Sequence, residues 1–172
     1  MTSTHARAAI EHISAAISAD LSKAKAKNAP ATARLIEGLK CEVTGPSGQR
    51  MVTDMPRALG GEGSAPNPGW VLRCAWASCT ASVIAMRAAR LGVALETLEV
   101  TVDSDSDLRG ILGLDENIGA GQQAVRTTVK IRGSADPQTL REIAAWGEAH
   151  SPVGCTVQNP PACSLEIEVV EK

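Results

Sequence analysis

Cys79 sits within an apolar, helix-patterned run from Trp70 to Met86, flanked by Ala77, Ser78, Thr80 and Ala81. A thiol among small residues is the best candidate for chemistry in this chain, because its thiolate form is a nucleophile. The same residue also has a plainer reading, since free cysteine is among the most buried residue types and packs as a small hydrophobe. The other cysteines are Cys41, Cys74, Cys155 and Cys163, and no Cys-x-x-Cys pair occurs. Cys74 and Cys79 are five residues apart, roughly 500° of helix rotation, which puts them on different faces. His5, His12 and His150 do not cluster in sequence. A structural zinc site is not expected, and no cofactor is implied.

The elements that must hold these residues follow from periodicity. Ile10, Ile13, Ile17 and Leu21 make one apolar stripe and predict a first helix over Ala6 to Lys27, ended by Asn28-Ala29-Pro30. Leu39, Cys41 and Val43 alternate with charged residues as a half-buried strand, and Arg50 to Asp54 returns beside it after the Gly45-Pro46-Ser47-Gly48 turn. A glycine-rich loop from Leu59 to Asn67 leads to Pro68, which opens a long helix to about Arg90 with Gly92 as its stop. Strands follow at Leu98–Val102 and Val125–Ile131, separated by a polar, glycine-rich excursion. Asp136-Pro137 starts another helix, and Leu165, Ile167 and Val169 alternate as a closing strand. Alternating strands and amphipathic helices predict an α+β fold, with a mixed or antiparallel sheet covered by helices on one face. The central helix is apolar over most of its circumference, which predicts burial on several sides and, in a domain this size, a dimer interface over part of it.

Composition narrows the function. The chain has 172 residues, enough for one core, with no Phe or Tyr and three Trp. Few aromatics and a net charge of −2 argue against a nucleic-acid partner. No run approaches the roughly 20 apolar residues that span a bilayer, so no membrane association is expected. An odd cysteine count without a secretory h-region suits a reducing cytoplasm. Asp103-Ser104-Asp105-Ser106-Asp107 starts like a calcium loop but has Leu108 and Leu114 where glycine and glutamate are needed, and reads as a solvated turn.

Four stretches in order resemble the OsmC/Ohr family of osmotically induced and organic-hydroperoxide-resistance proteins. Leu59 to Pro68 is similar to the family's Gly-Gly, Pro-x-Pro loop, and Ala75 to Ala81 to its Ala-rich helix with the peroxidatic cysteine. Asp107 to Asp115 resembles a linker of OsmC-like members. His150-Ser151-Pro152-Val153, with Val157-Gln158-Asn159-Pro160, resembles the second-site loop. The resemblance covers Leu35 to the C-terminus and divides the chain into an N-terminal helical segment, 1–30, and an OsmC-like domain, 31–172. It implies an intertwined homodimer with central helices crossed by sheets of both chains. It further implies a thiol peroxidase that reduces organic hydroperoxides through Cys79, with Arg50 as the activating arginine and a thiol reductant as partner.

Two positions depart from the family pattern. Ser151 stands where the second cysteine precedes the late-loop proline, and Trp70 stands where the activating glutamate belongs. Cys155, four residues on, is the candidate for a displaced resolving thiol, and Glu62 for a replacement carboxylate. Arg73, within the apolar helix, reads as a residue that snorkels or pairs across a dimer. The departures leave open a non-catalytic dimer binding an apolar small molecule, with Trp70 stacked on the ligand and Trp70 and Trp76 flanking the pocket. A third reading is a structural subunit whose N-terminal helix docks a partner.

Overall fold

The computed structural model describes residues 3–170. Helix α1 (Ser3–Ala19) precedes an antiparallel sheet of β1 (Thr32–Glu37), β2 (Lys40–Thr44) and β3 (Arg50–Thr53). The long helix α2 (Pro68–Leu91) follows. Next comes a two-stranded antiparallel ribbon of β4 (Leu95–Asp105) and β5 (Gln123–Gly133), with the short helix α3 (Leu108–Ile111) in its connection. Helices α4 (Pro137–Ala149) and α5 (Pro152–Gln158) complete the fold. Every strand pairing is antiparallel, as alternating strands with one dry face require.

The core lies between the ribbon and two helices. Ile84 and Ala88 of α2 meet Ile143 of α4 over the inward residues Leu98, Val100, Val129 and Ile131. The register sets Leu98 against Ile131 and Val100 against Val129, so one ribbon face is continuously apolar. The helices cross closely at Gly147, where a Cβ would lie 2.3 Å from Ile84 Cγ1.

Several expectations need correction. The first helix stops at Ala19, because extended Asp20 turns its carboxylate onto Ser22, accepting from its N–H at 3.0 Å and its hydroxyl at 2.7 Å. Such local side-chain bonds compete with helix continuation. Strand β1 was hidden by the adjacent Leu35-Ile36, which break the alternation; all its residues are exposed. The closing strand over 165–169 does not form: among the described residues the segment pairs with no strand, and Leu165 is 85% exposed. Among the described residues α2 is the one helix long and apolar enough to cross a membrane by length and composition alone, although no such run was expected. Here it packs on α1, α4, α5 and β4. Its burial is one stripe, Trp76, Thr80, Ile84 and Ala88, with Ala89 beside it, narrower than expected.

Candidate functional site around Cys79

Helix α2 is fixed at both ends. Asn67 caps its start, its side chain accepting from the Trp70 N–H at 2.9 Å, and Pro68 occupies the first turn where no amide is needed. Gly92 closes it in the left-handed conformation, φ 72°. The buried stripe steps every four residues from Trp76 to Ala88. Cys79 lies about 100° away from Thr80 on the helix and is half-buried. Its neighbours in helical projection are Leu72, Ala75, Val83 and Met86; Leu72 and Met86 are exposed. The thiol thus sits in an open apolar stripe, at the edge of the core. The first turn of α2 carries no acidic residue.

The loop leading to α2 is gathered by one carboxylate. Asp54, at the end of β3, is buried and accepts from the Ser64 N–H and hydroxyl, both at 2.9 Å. Its amide donates to Pro66 O at 3.2 Å. The Ser64 amide holds its carboxyl below the usual carboxylate range. Gly61 permits this fold-back, since a Cβ there would fall 1.9 Å from Met55 O.

On the other side of α2, Ser151 begins α5. It is fully buried, and its hydroxyl accepts from the Gly154 N–H at 3.3 Å. The loop expected at 151–158 is therefore a capped helix. Trp76, 4% exposed, lies against it with its indole N–H unpaired, and a Cβ at Gly154 would sit 2.7 Å from that nitrogen. Thr80 and Thr127 donate to the two oxygens of Glu148 at 3.1 and 3.4 Å, tying α2 and β5 to α4.

The residues expected to act together come from three elements, β3, α2 and α5. Arg50 is an exposed residue of β3 paired with Glu42 across to β2, and it lines a cavity of about 340 Å³ built from 29–31 and 43–51. The Cys155 thiol donates to Ala149 O at 3.2 Å, a bond only the protonated sulfur makes. Neither Cys79 nor Cys155 lines the cavity that Arg50 does. Glu62 pairs with Lys40 at 3.3 Å, in solvent. Trp70 lies nine residues before Cys79, about 900° and so on the opposite face. There it lines a cavity with Arg73, Cys74 and Val100, so Trp70 and Trp76 do not flank a common pocket beside the thiol. His150 stacks on Trp146 with ring centroids 3.9 Å apart, and Arg87 stands 4.8 Å from the same indole. Sequence reasoning missed Asp54 and the Thr80–Glu148–Thr127 bridge. Their partners are ten, 68 and 21 residues away, beyond any local pattern.

The sequence model of the family described as OsmC-like protein matches residues 61–166, and the chain belongs to that family. No curated protein sequence matches it. Solved structures share its fold at low identity. An OsmC-like protein from Mycoplasma pneumoniae has a TM-score of 0.66 and 14% identity, over 79% of this chain and 91% of that one. OsmC of Legionella pneumophila, described as an organic hydroperoxide resistance protein, has a TM-score of 0.56 and 21% identity, over 78% and 93%. OhrB of Bacillus subtilis, an organic hydroperoxide resistance protein, has a TM-score of 0.54 and 19% identity, over 78% and 93%.

Proposed function

We propose that this protein is a one-cysteine thiol peroxidase for organic hydroperoxides, with Cys79 as nucleophile. The observation that carries the reading is the half-buried Cys79 thiol on the open apolar stripe of α2, within the family-matched region. Relatives of the same fold named for organic hydroperoxide resistance support the substrate class. The Cys79 thiolate attacks the distal peroxide oxygen. The O–O bond breaks, the alkoxide takes a proton and leaves as the alcohol, and the sulfur becomes a sulfenic acid. An external thiol then attacks that sulfur and releases water, leaving a mixed disulfide. A second thiol displaces Cys79 and carries off the disulfide. Ser151 cannot take the resolving part, and Cys155 is engaged as a donor to Ala149, so both reducing equivalents come from outside.

The protein acts as a homodimer in this reading. Leu35 and Ile36 of β1 and Leu165, Ile167 and Val169 near the C-terminus are exposed apolar residues, and contiguous patches of that kind mark association surfaces. A second copy covers them, and the alternating C-terminal segment becomes a strand on pairing with it. The N-terminal helical segment, 1–30, is an addition whose α1 packs on α2. The free cysteines suit a reducing cytoplasm.

The test is consumption of cumene hydroperoxide with a dithiol reductant, with sulfenic acid trapped and mapped by mass spectrometry. Cys79→Ser should abolish turnover and trapping, whereas Cys155→Ser should leave both. Turnover retained in Cys79→Ser would end the proposal.

A further inference from the structure

A second site lies on the other side of α2. Between its first turns, the end of the ribbon and α3 is a cavity of about 480 Å³, within the range of small-molecule pockets. Met55, Pro56 and Leu59 form one wall, and Leu108 and Ile111 the other. Its polar end is Arg73, Ser104 and Gln122. These form a directed chain: Arg73 Nη1 donates to Ser104 Oγ at 3.3 Å, Ser104 donates to Gln122 Oε1 at 2.7 Å, and Gln122 Nε2 donates to Gly69 O at 2.8 Å. The chain holds the guanidinium in place without giving it a negative charge.

Among the described residues Arg73 has no carboxylate partner. The carboxylate that shares the cavity, Asp107, is taken by Arg109 at 2.6 Å, which helps hold its carboxyl down at about 2. Nη1 is committed to Ser104, so the Nε–Nη2 edge of Arg73 remains, the fork that matches a carboxylate with two parallel bonds. Gly69 keeps the space around it open. A Cβ there would stand 3.3 Å from Asn67 Oδ1 and Gln122 Nε2, and 3.9 Å from Arg73 Nη1. A part-buried cation without a counter-ion costs stability, and a ligand anion would remove that cost.

We infer that this cavity binds a small carboxylic acid with an aliphatic tail, its carboxylate on Arg73 and its tail between Leu59, Leu108 and Ile111. One guanidinium balances a monoanion; it does not balance a phosphate dianion, and beyond the polar end, apart from Asn67, Ser106 and the arginine-paired Asp107, the rest of the lining is apolar or glycine. Leu108 and Ile111, about half exposed in the free protein, are what the tail covers. The site goes beyond the peroxidase reading and does not depend on Cys79.

Calorimetric titration of the full chain with octanoate and with 1-octanol tests it. Octanoate should bind saturably, one per chain, and octanol about tenfold or more weaker, as losing a charged hydrogen-bond pair implies. Arg73→Met should bind octanoate no better than octanol, Arg73→Lys should retain part of the preference, and Cys79→Ser should retain all of it. The octanoate–octanol comparison on the unmodified protein needs no variant to fold. Equal binding of the two, no saturable octanoate heat at millimolar concentration, or an undiminished preference in folded Arg73→Met would overturn the inference.

Discussion

The two sheets of this protein are built alike and used differently. In β4–β5 the inward residues meet α2 and α4, and the core around Ile84 and Ile143 is buried. In β1–β3 every residue of β1 is exposed, Leu35 and Ile36 included. Both sheets are antiparallel, so strand direction does not separate them. The presence of a helix layer does. The ribbon is covered by helices of its own protomer, whereas β1 holds its apolar Leu35 and Ile36 in the open. Cys79 stands at the border, on a helix buried along one stripe and open along the next.

Substitutions at the closed side should break the contrast most severely. Ile84→Ala removes a fully buried side chain from the helix–ribbon contact and should cost about 2–5 kcal/mol. Gly147→Ala should cost about 1–3 kcal/mol by forcing the helices apart. Chemical denaturation of each variant gives the values; a loss under 0.5 kcal/mol in both would mean that this core is not what holds the protomer together.

Acid should act on the border next. The folded pKa of Asp54 lies below the ordinary value of 3.8. Its contribution is therefore complete above that pH and is lost as pH falls through the lower folded value. Asp107 behaves in the same sense, losing its contribution between 3.8 and about 2. Unfolding midpoints followed from pH 6 to pH 2 should fall below about pH 4, and Asp54→Asn should flatten part of that fall. A slope unchanged by Asp54→Asn would remove the loop clamp as its cause.

The smallest effect on the protomer should come from the open sheet. Leu35→Ser with Ile36→Ser should change protomer stability by no more than about 0.5 kcal/mol, yet abolish association in sedimentation. An unmodified protein that stays monomeric at every concentration would show instead that the exposed sheet is left bare.

The sequence made the long-range scaffold legible where local signals and burial agree. Asn67-Pro68 and Asp136-Pro137 announce the starts of α2 and α4, Gly92 the end of α2, and alternation the ribbon. Ser151-Pro152 carries the same signal and starts α5, but its likeness to a family loop masked it. The segment at 165–169 alternates as a strand should, and fails because pairing is a property of two segments. Around Cys79 the sequence showed the helix but not what packs on it. Trp70 was expected to flank a pocket beside the thiol with Trp76, yet helix geometry sends it to the opposite face. The Arg73 cavity was illegible because Ser104 and Gln122 reach it from the far end of the ribbon.

Ser151 also limits which single changes the chain can accept. A sulfur at that position would replace the hydroxyl that caps α5, a loss of about 1 kcal/mol. It would also put a larger atom into a fully buried place near Gly154 and Trp76. Placing a thiol there means giving up the cap of a helix. A mutational path to a cysteine at this position is therefore uphill in stability before it confers any gain.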